Sequence, residues 1–458
     1  MSAQFSVAEV HEAIGATRPD DVCLVFRDRR LTWQQVTERT RRLANHLLGS
    51  GLGCRTERSE LQGHESGQSH LAIYLHNGNE YLECMLGSFK ARVAPFNVNY
   101  RYVAEELRYL LNDSSAEAVV VHSQFAPTLA EVLPDLPKVK VILQVPDESG
   151  NELLPGAVWY EDALAAASPD KPAVQWSPDD LYILYTGGTT GMPKGVLWRN
   201  GDANVECFGG SRAETLEGIV AEAVGGLQAL LAPPFMHGAG HWMSFRTWNS
   251  GGCVFVQSVP DRLDPHDVWG LIERERLNFL LIVGDAFGRP LLDELERTQY
   301  NLSSLTVLLS GGAPLSAHLK DEFLAHLPTL MIVDGLGSSE AGGQLSHVSV
   351  GGGASTGTFP MSPGNHVLSA DLDRELEPGD PEIGWLAKSG RLALGYLGDA
   401  AKTARTYPVV AGQRYAVPGD RARLRADGVI ELHGRDSVTI NSGGEKIFAE
   451  EVEAAVKR

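Results

Sequence analysis

Apolar residues recur at two spacings along this chain of 458 residues. From Thr32 to Gly53, "TWQQVTERTRRLANHLLGSGLG" opens on a capping threonine, repeats apolar positions at helical spacing and stops at glycine, which predicts a helix. "HLAIYLHNGNEYLECMLGSFKARVAPFNVN" reads as strand, turn, helix and strand, and "AEAVVVHSQF" and "KVKVILQV" are short β-branched runs. This alternation predicts βαβ units and a parallel sheet, the α/β class. After Tyr185 the pattern resumes. "NFLLIVGDAFGRPLLDELE" predicts strand, loop and helix, while "LTVLLSGGAPLS" and "TLMIVDGLGSSEAGG" are apolar strands that empty into Gly/Ser loops. Parallel sheets bind ligands where their strands end, so such glycine-bearing loops can face one cleft.

Two polar stretches break the pattern. Arg55 to His70 is patternless and is expected to be a mobile insertion; Pro146 to Ala157 is expected to be a surface loop. From about Gly364 short strands alternate with turn signals, which predicts a smaller β-rich subdomain. The chain ends "EKIFAEEVEAAVKR", where Phe448, Val452, Ala455 and Val456 fall on one helical face. Such a face needs a covering element, so the natural chain is expected to continue past Arg458.

Composition narrows the class of protein. The chain is 43% hydrophobic and 21% charged, ordinary values for a globular protein, and too long for one core, so two or more domains are expected. A net charge of −19 argues against nucleic acid or anionic lipid as partner. The five cysteines are scattered without a C-x-x-C pair, which fits reduced thiols in a cytoplasm and no zinc site. "MSAQFSVAEVHEAIG" carries acids early and no apolar signal core, so it is not expected to be a secretion signal, and no apolar run approaches a membrane span.

The chemistry concentrates in "YTGGTTGMPKG", Tyr185 to Gly195. Glycines let backbone N–H groups converge on an anion, threonines add hydroxyl donors, and Lys194 adds a point charge. The common nucleotide P-loop needs Gly-Lys-Ser/Thr, whereas here Pro193 precedes Lys194 and Gly195 follows it. Five further stretches follow in order: "LAPPFMHGAGHW", "LSGGAP", "GLGSSEAGG", "YAVPGD" and "GRDSVTINSGGEKIFAEEVE". Together with the first they resemble the signature segments of the adenylate-forming enzymes, which comprise acyl-CoA synthetases, luciferase and the adenylation domains of peptide synthetases.

The resemblance covers about Thr32 to Arg458 and carries expectations for each stretch. Thr186, Gly187, Gly188, Thr189, Thr190, Gly191 and Lys194 would wrap the phosphates of ATP. His237 and Trp242 would border the acyl pocket. Gly311, Gly312 and Ala313 would lie against adenine. Leu336 stands where the family usually stacks a tyrosine, giving an apolar platform without a π face, and Gly337, Ser338 and Ser339 follow it. Glu340 would hold Mg²⁺, a cation that prefers carboxylate and phosphate oxygen. Asp420 would accept from the ribose hydroxyls and Arg435 would contact ribose or phosphate. The hinge position falls at Ser437, with Asp436 before it, which departs from the family's usual residue. The family's catalytic lid lysine would lie beyond Arg458.

The implied fold is a large α/β N-terminal domain of parallel and mixed sheets flanked by helices, with a small β-rich subdomain, and then the start of a small α+β C-terminal lid. Its expected bounds are 1–433, divided at 180 and 360, and 434–458. The implied activity is an acid–thiol ligase: ATP activates a carboxylic acid as its adenylate and coenzyme A takes the acyl group. The apolar surroundings of "LLIVGDAFGRPLL" and the PPF stretch favour an apolar acid. The segment "APFNVNYRYVAEELRYLL" resembles an actinobacterial branch of fatty-acid and steroid-side-chain CoA ligases, which implies a medium-to-long fatty acid or a sterol-derived side-chain acid, with an aryl acid second. Asp285 would be the amine partner if the substrate were an amino acid. Transfer to a carrier protein and a non-catalytic nucleotide-binding role are the alternatives. A homodimer is compatible with the sequence.

Overall fold

Helix starts are set by short-range chemistry. The computed structural model describes residues 4–188, 191–351, 357–435, 439–442 and 445–448. Ser6 caps the helix Val7–Thr17 and Thr32 caps Trp33–Gly49, each in a reciprocal box with the side chain three residues on. The helix expected from Thr32 is therefore present, with its last turn ending at Gly49.

Two eight-stranded sheets form the frame. One runs in the order 395–396, 191–199, 181–188, 94–97, 70–74, 118–122, 141–145 and 158–159. It is parallel from 181–188 onward and antiparallel where 191–199 meets its two neighbours. The other runs 342–349, 331–338, 307–311, 279–282, 228–231, 253–256, 22–26 and 29–32, parallel except for the pair at each end. Each sheet draws strands from both sides of residue 180: Ile183 pairs with Phe96, and Leu24 with Val254.

Burial explains the layering. Leu71 and Ile73 of the first sheet, and Leu231, Val254 and Val256 of the second, share one apolar cluster with Leu43, Leu82 and Trp248 from helices between the sheets. The outer face of the second sheet is covered by helices Pro265–Glu275, Gly284–Arg297 and Ala317–His326. Helices Ala104–Asp113 and Ala126–Val132 cover the outer face of the first. Strands buried on both faces read as continuous apolar runs, as seen in the sequence. A five-stranded antiparallel sheet, 358–360, 429–435, 420–424, 384–388 and 365–368, forms the expected β-rich subdomain. Its own cluster reaches Leu345 and Leu336 of the second large sheet.

Three expectations change. The stretch 55–70 is tied down: Arg55 and Thr56 donate backbone bonds to Gly67, Arg55 pairs with Glu117, and His64 accepts from Gly398 N. Polar composition there reflects ion pairing, not mobility. Glu445–Phe448 is a strand paired with Thr439–Ser442, not the start of a helix, because ladder pairing outranks a four-residue apolar spacing; Val452, Ala455 and Val456 lie outside the described residues. Helix Gly284–Arg297 begins one residue after the turn at Val283, so Asp285 sits in a first helical turn and not in a loop. Among the described residues, no helix is long and apolar enough to cross a membrane.

Candidate active site

The Gly/Thr-rich stretch is a β-hairpin. Leu181–Gly188 and Gly191–Arg199 pair antiparallel, with Thr186 opposite Lys194 and Gly188 opposite Gly191. Gly187 lies between these pairs; Thr189 and Thr190 are outside the described residues. Gly195 packs so tightly on Tyr185 that an added Cβ would come within 2.8 Å of its ring. Lys194 is held from a distant helix end: its Nζ lies 3.0 Å from Asp113 Oδ1, and the Tyr185 hydroxyl donates to Asp113 Oδ2 at 2.8 Å. Partial burial opposes the lysine's charge, but Tyr109 and Asp113 outweigh it and raise its pKa.

A second hairpin faces it from the other large sheet. Leu336, Gly337 and Ser338 are strand residues, with Leu336 opposite Leu345 and Gly337 opposite Gly343. The expected Gly/Ser loop is thus confined to Ser339, Glu340 and Ala341, and the Ser338 hydroxyl accepts from Ala341 N at 3.1 Å. Trp198, fully buried on the first hairpin, donates from Nε1 to Ser339 O at 2.8 Å and joins the two. Glu340 Oε1 accepts from the Tyr396 hydroxyl at 2.7 Å, and Tyr407 donates to Glu340 O at 3.3 Å. Tyr396 itself pairs with Val196 of the first hairpin.

The adenine candidates adjoin this hairpin. Gly311 and Gly335 are partners across parallel strands, and Gly312 turns the chain at φ +84, a value that suits glycine. Ala313 packs on the outer core. Leu336 leans instead into the cluster of the small sheet. Asp420 is buried and stands opposite Arg435 in the ladder of that sheet, so the two ribose candidates share one register position. Asp436 and Ser437 are outside the described residues.

Asparagines fix the PPF stretch. Asn77 donates to Pro233 O at 2.9 Å and accepts from Phe235 N at 2.6 Å. Asn97 donates to Met236 O and Tyr185 O and accepts from Tyr185 N. His237 is the N-cap residue of helix Gly238–Asn249. Trp242 donates from Nε1 to Tyr182 OH at 2.9 Å, and buried His241 contacts the same hydroxyl. Burial holds the His241 pKa down to about 4. Asp285 is exposed and accepts from Ser316 N at 2.7 Å, beside the Gly312 turn.

Asp113, Tyr396, Tyr407, Trp198 and the two asparagines escaped the sequence reading. Asp113 and Asn97 are remote in sequence from the groups they hold, and no local pattern marks them. Tyr396 sits in "LGYLGD", where a tyrosine between glycines after an apolar run was the available signal. Glu340 Oε2 has no partner among the described residues, and no group of three or more acid, cysteine or histidine side chains gathers there. One free carboxylate oxygen suits a hard cation whose other ligands come from phosphate and water.

Residues 11–397 match the family model described as AMP-binding enzyme. The chain is 52% identical over 460 residues to the medium-chain acyl-CoA ligase Mig of Mycobacterium avium, covering 99% of this chain and 84% of that protein. It is 39% identical over 472 residues to the medium/long-chain-fatty-acid–CoA/3-oxocholest-4-en-26-oate–CoA ligase of Mycobacterium marinum, covering 100% and 83%. The anthranilate CoA ligase AuaEII, solved in complex with anthranoyl-AMP, superposes with a TM-score of 0.77 at 21% identity, over 99% of this chain and 82% of that one. At that identity the likeness is one of fold.

Proposed function

This chain belongs to the AMP-binding enzyme family, and we infer that it is an acyl-CoA ligase for apolar carboxylic acids. A carboxylate is a poor electrophile. Its oxygen attacks the α-phosphorus of ATP, pyrophosphate leaves, and the acyl-adenylate then yields the acyl group to the thiol of coenzyme A. Two anions must meet in the first step, so charge neutralisation dominates it. The single observation that carries the site reading is the joining of the two hairpins through Trp198 and Tyr396, which brings Glu340 to the strand pair that bears Lys194. Lys194 and the backbone N–H groups beside Gly187, Gly188 and Gly191 would hold the terminal phosphates. Bound through Glu340 Oε2, Mg²⁺ would supply charge neutralisation on phosphate oxygen. Gly311 and Gly335 would offer a flat backbone surface to adenine, and Asp420 would accept from ribose.

For the acid, we favour a medium-to-long fatty acid or a sterol-derived acid. Support comes from the packing of Trp242 on the apolar cluster between the large sheets, from burial that keeps His241 neutral, and from the names of the two relatives above. The test is a panel of fatty, steroid and aryl acids with ATP, Mg²⁺ and CoA, read as AMP and acyl-CoA released. Fatty or steroid acids should give both products. Product from aryl acids alone would overturn the substrate class, and thioester found on a carrier protein but never on CoA would overturn the acceptor.

A further inference from the structure

Among the described residues, the half-buried and buried lysines follow a rule that one of them breaks. Lys90, Lys194, Lys320 and Lys388 each pair directly with a carboxylate, on Glu12, Asp113, Asp334 and Glu206. Lys402 does not. It lies in the short helix Ala400–Thr406, and its backbone N–H donates to Asp399 Oδ1. Its ammonium has no ion pair or hydrogen bond among the described residues; it lies 4.2 Å from the centre of the Tyr396 ring. That ring is the one whose hydroxyl donates to Glu340. The charges that act on Lys402 are Glu340, Asp399, Lys194 and Arg405. The strand carrying Tyr396 pairs with the hairpin strand carrying Lys194, so the two lysines belong to neighbouring elements of one wall.

A cation–π contact orients an ammonium while leaving N–H donors unused. Those donors sit on the ring that also holds Glu340, beside the strand that bears Lys194, the wall where the terminal phosphates of ATP would lie. We propose that Lys402 contacts the leaving pyrophosphate, as a second ammonium beside Lys194. Fully ionised pyrophosphate carries more charge than one lysine and one divalent cation offset, and a chain of net charge −19 offers little background attraction to it. Tyr396 then serves two partners at once, aligning Glu340 through its hydroxyl and Lys402 through its ring. No bond is made or broken by Lys402; it binds the leaving group and retains its proton.

The proposal rests on the ATP-site reading above, and calorimetric titration of the whole protein with inorganic pyrophosphate and Mg²⁺ separates the two. Lys402→Gln should weaken pyrophosphate about tenfold, the value of one charge-assisted hydrogen bond. Lys402→Arg should stay within about threefold of the parent, since the charge and the ring contact persist. Arg405→Gln, on the exposed side of the same helix, should bind as the parent does. Product inhibition by pyrophosphate in the adenylation step should follow the same order. Undiminished binding by a Lys402→Gln protein with native melting behaviour overturns the proposal alone. Equal weakening by Arg405→Gln reduces Lys402 to background charge and overturns it too. A parent protein that binds no pyrophosphate overturns the ATP-site reading, and this one with it.

Discussion

The phenol of Tyr396 is the hinge pin of the acidic side of the site, because Glu340 Oε1 takes its hydroxyl at 2.7 Å and Oε2 has no partner among the described residues. Removing that hydroxyl leaves the carboxylate free to rotate. A hydrogen bond to a charged group is worth about 1.5–3 kcal/mol. Tyr396→Phe should therefore lower kcat for pyrophosphate release by about tenfold or more at saturating ATP, with the ring and its stacking retained. An unchanged kcat would mean that Glu340 needs no orientation from this residue. His241 gives a pH prediction. Burial lowers its pKa from 6.5 to about 4. Between those values the unfolded chain binds the proton and the native one does not, so stability rises with pH through this window and falls as pH drops. From pH 7 to pH 5 the group should cost about 2 kcal/mol. Glu80, held up to about 7 by burial and Glu83, opposes this trend. The measurement is therefore a difference: urea unfolding of the parent and of His241→Gln at both pH values. The parent should lose about 2 kcal/mol more than the variant, and parallel losses would refute the assignment.

At the scale of elements, the site is two hairpins bolted to a rigid frame, and Asn97 is one of the bolts. One buried amide satisfies Tyr185 N, Tyr185 O and Met236 O, joining the strand 94–97 to the phosphate hairpin and to the PPF stretch. Asn97→Ala strands three buried backbone groups at about 1–3 kcal/mol each before relaxation. The expected loss of about 3 kcal/mol is measured by denaturant midpoint, and KM should rise for both ATP and acid because both loops lose one anchor. A rise for only one substrate would show that the stretches move independently. The same elements mark what sequence could reveal. Six stretches in order pointed to the fold and to most candidate residues. They suggested loops, however, where the chain forms ladders: Gly188 and Gly337 are poor strand formers that pair because their neighbours do. Asp113, Tyr396 and Asn97 reach the site by tertiary folding alone, and nothing adjacent to them in the sequence announces it.

Across the whole molecule, the candidate residues are divided among three sheets. Lys194 comes from the first large sheet, Gly311, Gly335 and Glu340 from the second or its hairpin turn, and Asp420 from the small one. No one sheet carries all of these candidates. A ligand bound by all of them would be a cross-link, and its binding energy would enter the stability of the whole assembly and not of one part. A non-hydrolysable acyl-sulfamoyl adenosine carries the acyl chain, the sugar and adenine in one molecule and omits the pyrophosphate. At a hundred times its Kd it should add about 2.7 kcal/mol to unfolding. If the site spans the sheets as described, the gain appears as one shifted transition, and slowed amide exchange appears together in 307–311, 331–349 and 420–424. The strand 141–145 and the edge strand 158–159, at the far side of the first sheet, should exchange as before. Protection confined to a single sheet, or a transition that splits when the mimic is added, would mean that the ligand touches one wall only. The division of roles among Lys194, Glu340 and Asp420 would then have to be redrawn.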